Sequence, residues 1–184
     1  DLKSSTSVLL EMINQLLNIH RLQSGSIELQ RSIVAPRDIV NQIALSLSRQ
    51  MKEKGVELDN QVPKEVELNV DVALFREVLF NLVSNAIKFS YDGSVITVRV
   101  DGSIVTVRDE GAGIPAEMIP KLFDKMARTS RKGTDGEAGT GLGLPLVHDI
   151  VTAHGGAVTV NSRVDGGTSV RVDMGSEALV GVNA

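Results

Sequence analysis

Glycine is the constraint that bears hardest on what this chain can become. Of its 17 glycines, seven stand at positions 111, 113, 133, 136, 139, 141 and 143, where ordinary usage of about 7% would put two or three. A segment so poor in Cβ atoms is neither a continuous helix nor a strand. It has to be a series of turns whose backbone comes close to something.

The rest of the chain frames that segment with regular elements. Residues 2–23 hold neither Gly nor Pro, and Leu2, Leu9, Leu16, Met12 and Ile19 fall on heptad positions, which predicts a bundle helix ending at Ser24-Gly25. An alternating strand is expected over 27–34 and a helix over 36–54, opened by Pro36 and ended by Gly55. Strands follow over 56–62 and 67–70, then a helix over 72–89 with Asp71 as its N-cap. Residues 95–100 and 103–108 read as strands joined at Asp101-Gly102, and 158–161 and 169–173 as a second hairpin around Asp165-Gly166-Gly167. Between the hairpins come a short helix over 118–126, a basic glycine-rich loop over 127–140 and a helix over 141–154. Residues 175–184 carry no strong pattern. A boundary near Gly25 divides an appendage, 1–24, from one α/β unit, 25–184.

Composition narrows the function classes. The 184 residues are 42% hydrophobic and 23% charged, the balance of a folded globular protein. With no cysteine, disulfides, thiolate metal sites and a cysteine nucleophile are excluded. The net charge of −4 argues against a surface that coats nucleic acid, so no nucleic-acid partner is expected. No 18-residue apolar run and no signal-like start are present, so the expected location is cytoplasmic with no direct membrane contact, any anchor lying outside this chain.

Three motifs carry chemistry. On the 72–89 helix, with Glu77 at 0°, Lys88, Asn81 and Asn85 fall at about 20°, 40° and 80°, while Phe75, Leu79, Leu82 and Ala86 fall at about 140° to 200°. Asparagine is a poor helix former, so two of them one turn apart mark this polar stripe as more than a solvated face; amide oxygens are hard ligands suited to Mg²⁺, and Lys88 could meet phosphate. Asp109-Glu110-Gly111-Ala112-Gly113-Ile114 follows a strand. It is either a tight turn or a place where Asp109 accepts from an exocyclic amine, Gly111 and Gly113 let a flat ring approach the backbone, and Ile114 walls it. Gly139-Thr140-Gly141-Leu142-Gly143-Leu144 precedes a helix with Pro145 in its first turn, a start that can offer N–H groups to an anion. It is not a dinucleotide fingerprint, because a loop rather than a strand comes before it, and no Walker loop is present.

The order of these motifs, with Leu122-Phe123 to Met126 between the last two, resembles the N, G1, F and G2 boxes of sensor histidine kinases over nearly the whole chain. The resemblance implies a Bergerat-type ATP fold: a mixed β-sheet in an α+β sandwich with helices on one face, plus the N-terminal bundle helix. Residues 1–24 would be part of the second helix of the dimerisation hairpin, and 25–184 the catalytic ATP-binding domain. Position by position, it implies that Asp109 binds the adenine amine, Asn85 coordinates Mg²⁺, and Asn81 and Lys88 contact phosphates or metal. Phe89 or Tyr91 would line the nucleotide, and Thr168 would support a water network at Asp109. Gly139, Gly141 and Gly143 would cradle phosphates, with Thr140, Leu142 and Leu144 in the same site. Arg128, Arg131 and Lys132 would meet the γ-phosphate or stay solvated; Asn81, Lys88 and Arg128 are the candidate catalytic residues.

Related gyrase-type ATPases have a general-base glutamate where this chain has Asn81, which disfavours hydrolysis and suits transfer to a protein nucleophile. Met126 replaces the second aromatic usual in the F box. No phosphoacceptor motif is present: His20 reads as a surface residue, and His148 and His154 as cationic complements to the dipole of the last helix. The resemblance therefore implies transfer of the γ-phosphoryl of Mg-ATP to a histidine outside this chain, with no autophosphorylation of the fragment alone. The alternative is a nucleotide-binding signalling module without transfer. Implied partners are the phosphoacceptor helix of the same or a partner subunit and a response-regulator receiver domain, in a homodimeric full-length protein.

Overall fold

The computed structural model describes residues 28–125, 131–137 and 139–180. The helix expected over 2–23, the 1–24 unit and His20 lie outside the described residues. In chain order the elements are β1 (Arg31–Val34), α1 (Pro36–Ser46), α2 (Ser48–Lys54), β2 (Glu57–Asn60), β3 (Leu68–Asp71) and α3 (Val72–Phe89). β4 (Val95–Asp101), β5 (Ile104–Asp109), α4 (Gly143–Ala153), β6 (Ala157–Ser162) and β7 (Thr168–Asp173) complete the series.

Alternation in the strands decides the layering. In β4, Ile96, Val98 and Val100 are buried while Arg99 and Asp101 are exposed; Val105 and Val107 of β5 and Val172 of β7 join the buried side. These residues meet Ile39, Val40 and Ile43 of α1, Phe75, Leu79 and Leu82 of α3, and Leu146 and Ile150 of α4 in one core. The helices therefore cover one face of the sheet, and Arg99, Arg108 and Arg171 stand on the other. The strand order is β2-β4-β5-β7-β6, with β2 parallel to β4 and the other pairs antiparallel. The parallel pair requires a crossover, and α3 lies within it.

Several local expectations hold. Asp71 caps α3, its carboxylate accepting from Ala73 N and Leu74 N at 3.1 and 3.2 Å, and Gly55 ends α2 in the left-handed region at φ 67°.

Others are corrected. The helix expected over 36–54 is two helices, broken at Leu47. Ser46 Oγ donates to Ile43 O and Ser48 Oγ to Leu45 O at 2.8 and 2.7 Å. Hydroxyls that bond the carbonyls of the preceding turn compete with the helix ladder and bend it. The short helix expected over 118–126 is one 3₁₀ turn, Ile119–Lys121, closed by bonds of the i→i−3 kind, because Pro120 brings no N–H; Met126 lies outside the described residues. The strand expected over 27–34 forms only over Arg31–Val34 among the described residues, and it pairs with β3 in a separate two-stranded sheet. The last helix starts at Gly143 rather than 141. The tail expected to lack pattern makes a 3₁₀ turn, Ser176–Ala178, and Leu179 bridges to Leu68.

Candidate functional site

α3 sets the site because its two faces are chemically opposite. Phe75, Leu79, Leu82 and Ala86 are buried against the sheet, and the Asn81, Asn85, Lys88 stripe faces a cavity of about 540 Å³, within the usual range for a ligand site. Asn81 donates through Nδ2 to Glu77 O and Glu77 Oε1 at 2.8 and 3.2 Å. Its Oδ1 is thereby the atom turned toward α4, where a Cβ on Gly143 would come within 2.8 Å of it. Lys88 Nζ lies 4.9 Å from the centroid of the Phe89 ring.

At the other wall, Asp109 ends β5 with 7% of its surface exposed. Its Oδ1 accepts from Gly111 N and Thr168 N at 3.0 and 3.1 Å, while Oδ2 accepts no hydrogen bond from the described residues. Burial pushes the carboxyl above its ordinary range, against the pull of those two N–H groups and of Arg108. The Thr168 hydroxyl lies 2.8 Å from Ser162 Oγ, which itself donates to Gly167 O at 2.9 Å and accepts from Ile114 N at 2.8 Å. A hydroxyl has one proton, so Thr168 is the donor to Ser162 and keeps its lone pairs for the cavity. That corner of the pocket is built of acceptors and suits a ligand edge that donates.

Third comes the start of α4. Thr140 Oγ1 accepts from Leu142 N at 3.2 Å, Gly141 takes φ 75°, and α4 begins with no side-chain cap. A helix N-terminus in this condition favours an anion in front of it.

The structure brings Asn81, Asn85, Lys88, Phe89, Asp109, Gly113, Ile114, Gly139, Thr140, Gly141, Gly143, Leu144 and Thr168 to one cavity. Four predicted residues stand outside its wall, the exposed Lys132 among them. Tyr91 is 45% exposed and its hydroxyl donates to Asp165 Oδ1 at 3.1 Å, so of the two aromatics Phe89 lines the space. Gly111 is buried, packed where a Cβ would meet Phe89 O at 1.9 Å, and Leu142 sits at the N-cap position of α4. Arg128 lies outside the described residues. Arg131 borders the cavity and donates to Gly113 O at 2.9 Å.

Neither His148 nor His154 borders the cavity. His154 corrects its expected role: it is 2% exposed, Nδ1 donates to Ile150 O at 2.8 Å and Nε2 accepts from Asp71 N at 3.2 Å. Burial holds its pKa below the ordinary value, so it is a neutral tie between α4 and the cap of α3 rather than a cation at a helix end.

Two residues that serve the site, Ser162 by bonding Thr168 and Ile114 and Lys54 on the cavity wall, gave no sequence signal. Ser162 looks like any polar residue of an edge strand. Lys54, at a helix end among other charges, looks solvated, yet it is buried and borders the cavity.

Among the described residues no group of three or more His, Cys, Asp or Glu could cage a metal. The amide oxygens of Asn81 and Asn85 fit instead a hard cation carried largely by phosphate, as Mg²⁺ is. No described helix is long and apolar enough to cross a membrane.

Residues 70–177 match the family described as histidine kinase-, DNA gyrase B- and HSP90-like ATPases. The histidine protein kinase DivJ of Caulobacter vibrioides is 35% identical over 168 residues, covering 89% of this chain and 28% of DivJ. A sensor-like histidine kinase of Rhizobium meliloti is 34% identical over 175 residues, covering 92% of this chain and 33% of that protein. The chain thus spans about a third or less of the length of these curated relatives. Among solved structures, full-length ShkA in complex with AMPPNP superposes with a TM-score of 0.76 at 27% identity, over 99% of this chain and 38% of ShkA. The histidine kinase AdeS of Acinetobacter baumannii shares the fold with a TM-score of 0.73 at 20% identity, over 93% of this chain and 81% of that one.

Proposed function

Because the chain belongs to the histidine kinase-, DNA gyrase B- and HSP90-like ATPase family, as an ATP-binding catalytic domain of the sensor histidine kinase kind, we propose that it transfers the γ-phosphoryl of Mg-ATP to a histidine on another segment. The carrying observation is the opposition across one cavity of a buried carboxylate, Asp109, and a stripe of two amides and an ammonium, Asn81, Asn85 and Lys88.

The adenine amine donates to Asp109 Oδ2, with Ile114 and Phe89 against the ring and Thr168 accepting from a water that joins Asp109 to the ring. Lys88 and the backbone of the 139–144 segment receive the phosphates. Asn85 and Asn81 hold Mg²⁺, which supplies charge neutralisation on the phosphates when bound. Asn81 is no base at neutral pH, so water is not activated at that position. In transfer, an unprotonated imidazole nitrogen bonds to the γ-phosphorus, the bond to the β,γ-bridging oxygen breaks, and ADP leaves with that electron pair. The acceptor helix belongs to the same or a partner subunit of a homodimer, and a receiver domain takes the phosphoryl group onward. The domain works in the cytoplasm, and any membrane anchor of the full protein would lie outside this chain.

The test is a titration with Mg-ATP and Mg-GTP, followed by incubation with a chain carrying a phosphoacceptor helix and measurement of acid-labile phosphate. ATP-selective binding with phosphate on the added chain is expected. Binding without transfer would sink the transfer step, and GTP binding as tight as ATP would sink the role of Asp109. In mass spectrometry of the fragment alone under non-acidic conditions, phosphate on His20, His148 or His154 would place the acceptor inside this chain and overturn the reading.

A further inference from the structure

Lys54 is the last residue of α2, and only 5% of its side chain is exposed. Lysines at helix ends ordinarily extend into water, and a buried ammonium is tolerated only when paired and fully hydrogen-bonded. This one has three donors and three acceptors: Glu137 Oε1 at 2.5 Å, Asp135 Oδ2 at 3.1 Å and Lys88 O at 3.2 Å. The third acceptor is a last-turn carbonyl of α3, where a cation also complements the helix dipole. The other two lie on the 131–137 loop, far along the chain.

The same loop is fastened at two more places. Thr134 donates through N to Lys88 O at 3.2 Å and through Oγ1 to Ser90 O at 2.7 Å, and Arg131 donates to Gly113 O at 2.9 Å. Gly133 fits so closely that a Cβ there would stand 2.7 Å from Lys88 O. The loop thus runs along the cavity from Gly113 past the end of α3 to Lys54, and Lys54, Arg131, Asp135 and Glu137 all border the space. Burial is the largest single influence on the Glu137 carboxyl and pushes it up, but the hydrogen bond from Lys54, the backbone N–H groups of Glu137 and Asp135 and the Lys54 charge together outweigh it, and the group lies below its usual range.

The charges give the arrangement its meaning. Asp135 and Glu137 bring two negative charges to the wall of a cavity assigned to a polyphosphate. Without a cation between them and the ligand, closing this loop over the nucleotide would set like charges together. We propose that Lys54 is a positioning residue: its ammonium clasps the acidic 131–137 loop to the end of α3, and the nucleotide leaves when that clasp opens. The retention step rests on the cavity's being the nucleotide site; the clasp itself does not.

The full chain separates the two. Trypsin cleavage after Arg131 and Lys132, measured without nucleotide, reports the clasp, and the dissociation rate of a fluorescent ADP analogue reports retention. Lys54→Met should speed both roughly tenfold, as expected for losing charge-assisted bonds at a buried ammonium. Lys54→Arg should restore most of the difference. Added salt should speed dissociation from the unaltered protein more than from Lys54→Met, because the partly exposed pairs of Lys54 are screened in the first and missing from the second. Should Lys54→Met fail to fold, Asp135→Asn with Glu137→Gln changes only the partly exposed partners and should likewise speed cleavage and release. Tighter nucleotide binding by that double variant would mean the two carboxylates obstruct the phosphates, and the proposal would fall. Unchanged cleavage in folded Lys54→Met would end it as well. If the unaltered protein bound no nucleotide while Lys54→Met was still cleaved faster, the cavity assignment and the retention step would fall and the clasp would stand.

Discussion

The two glycine-rich segments look alike on paper and are physically different. In the first, a Cβ on Gly111 would meet Phe89 O at 1.9 Å, and one on Gly113 would meet Arg163 O at 1.9 Å. Both obstacles are backbone, so these glycines let three stretches of main chain stack beneath Asp109. In the second, a Cβ on Gly143 would meet side chains, Asn81 Oδ1 at 2.8 Å and Asn85 Nδ2 at 3.6 Å, and Gly141 takes a φ of 75° that favours glycine. One segment is a wedge in the structure and the other is an opening beside a ligand wall. A spacing motif identifies where backbone comes close, and only the neighbours show to what.

Substitutions should pull this contrast apart. The largest effect belongs to Gly113→Ala, which adds a backbone clash to a left-handed φ of 65°. A loss of about 3 kcal/mol or more in unfolding free energy is expected. A denaturant midpoint near that of the unaltered chain would remove the wedge description.

Next is Asp109→Asn. Losing a charged acceptor from the adenine amine should weaken ATP by about 1.5 to 3 kcal/mol, roughly ten- to a hundredfold. The same change should raise the melting temperature without ligand. A carboxyl whose folded pKa is raised contributes stability below its ordinary pKa and loses it as pH rises through the folded value, so above that value the cost of burying the charge is present. Equal ATP affinity in the variant would sink the assignment, and a lower melting temperature would sink the electrostatic account.

Gly143→Ala should behave unlike Gly113→Ala. It places alanine at the first residue of a helix, worth about 0.5 to 1 kcal/mol in favour of folding, while displacing Asn81 Oδ1. Stability should hold or rise slightly as Mg²⁺-dependent transfer falls. A collapse in stability would make the second segment a wedge too.

The smallest effect concerns the far end of α4. His154, with its lowered pKa, contributes stability at pH above its ordinary 6.5 and loses it as pH falls through that value toward the lower folded one. Thermal scans should show a modest decline over that interval, and NMR titration of His154 at its ordinary pKa would contradict the neutral tie.

What could be read from the residues was whatever a local rule governs. The cap at Asp71, the stop at Gly55, the Asp101-Gly102 turn and the two faces of α3 all depend on neighbours within a turn or two. The break at Leu47 was hidden because Ser46 and Ser48 are ordinary helix-surface residues until their hydroxyls choose carbonyls. Asp109, Asn81 and Asn85 could be singled out because their residue types are unusual for their positions. Lys54 and Ser162 could not, since a lysine ending a helix and a serine in an edge strand are unremarkable, and their partners are assembled only by the fold. His154 was misjudged for the same reason: its position suggested a charge, and burial against Asp71 removed it.

Strand β1 carries a mechanical consequence. Gln30 N donates to Asp71 Oδ2 at 3.1 Å, Arg31 is in register with Asp71, and Arg31 also donates to His154 O at 3.0 Å. The residue that caps α3 is therefore also the peg to which the incoming chain is fastened. A pull on residue 30 loads the β1–β3 ladder in shear and reaches the first turn of the helix that carries Asn81, Asn85 and Lys88. Traction from the N-terminal side therefore meets the cap of α3 at a single carboxylate, one oxygen holding the strand and the other the helix.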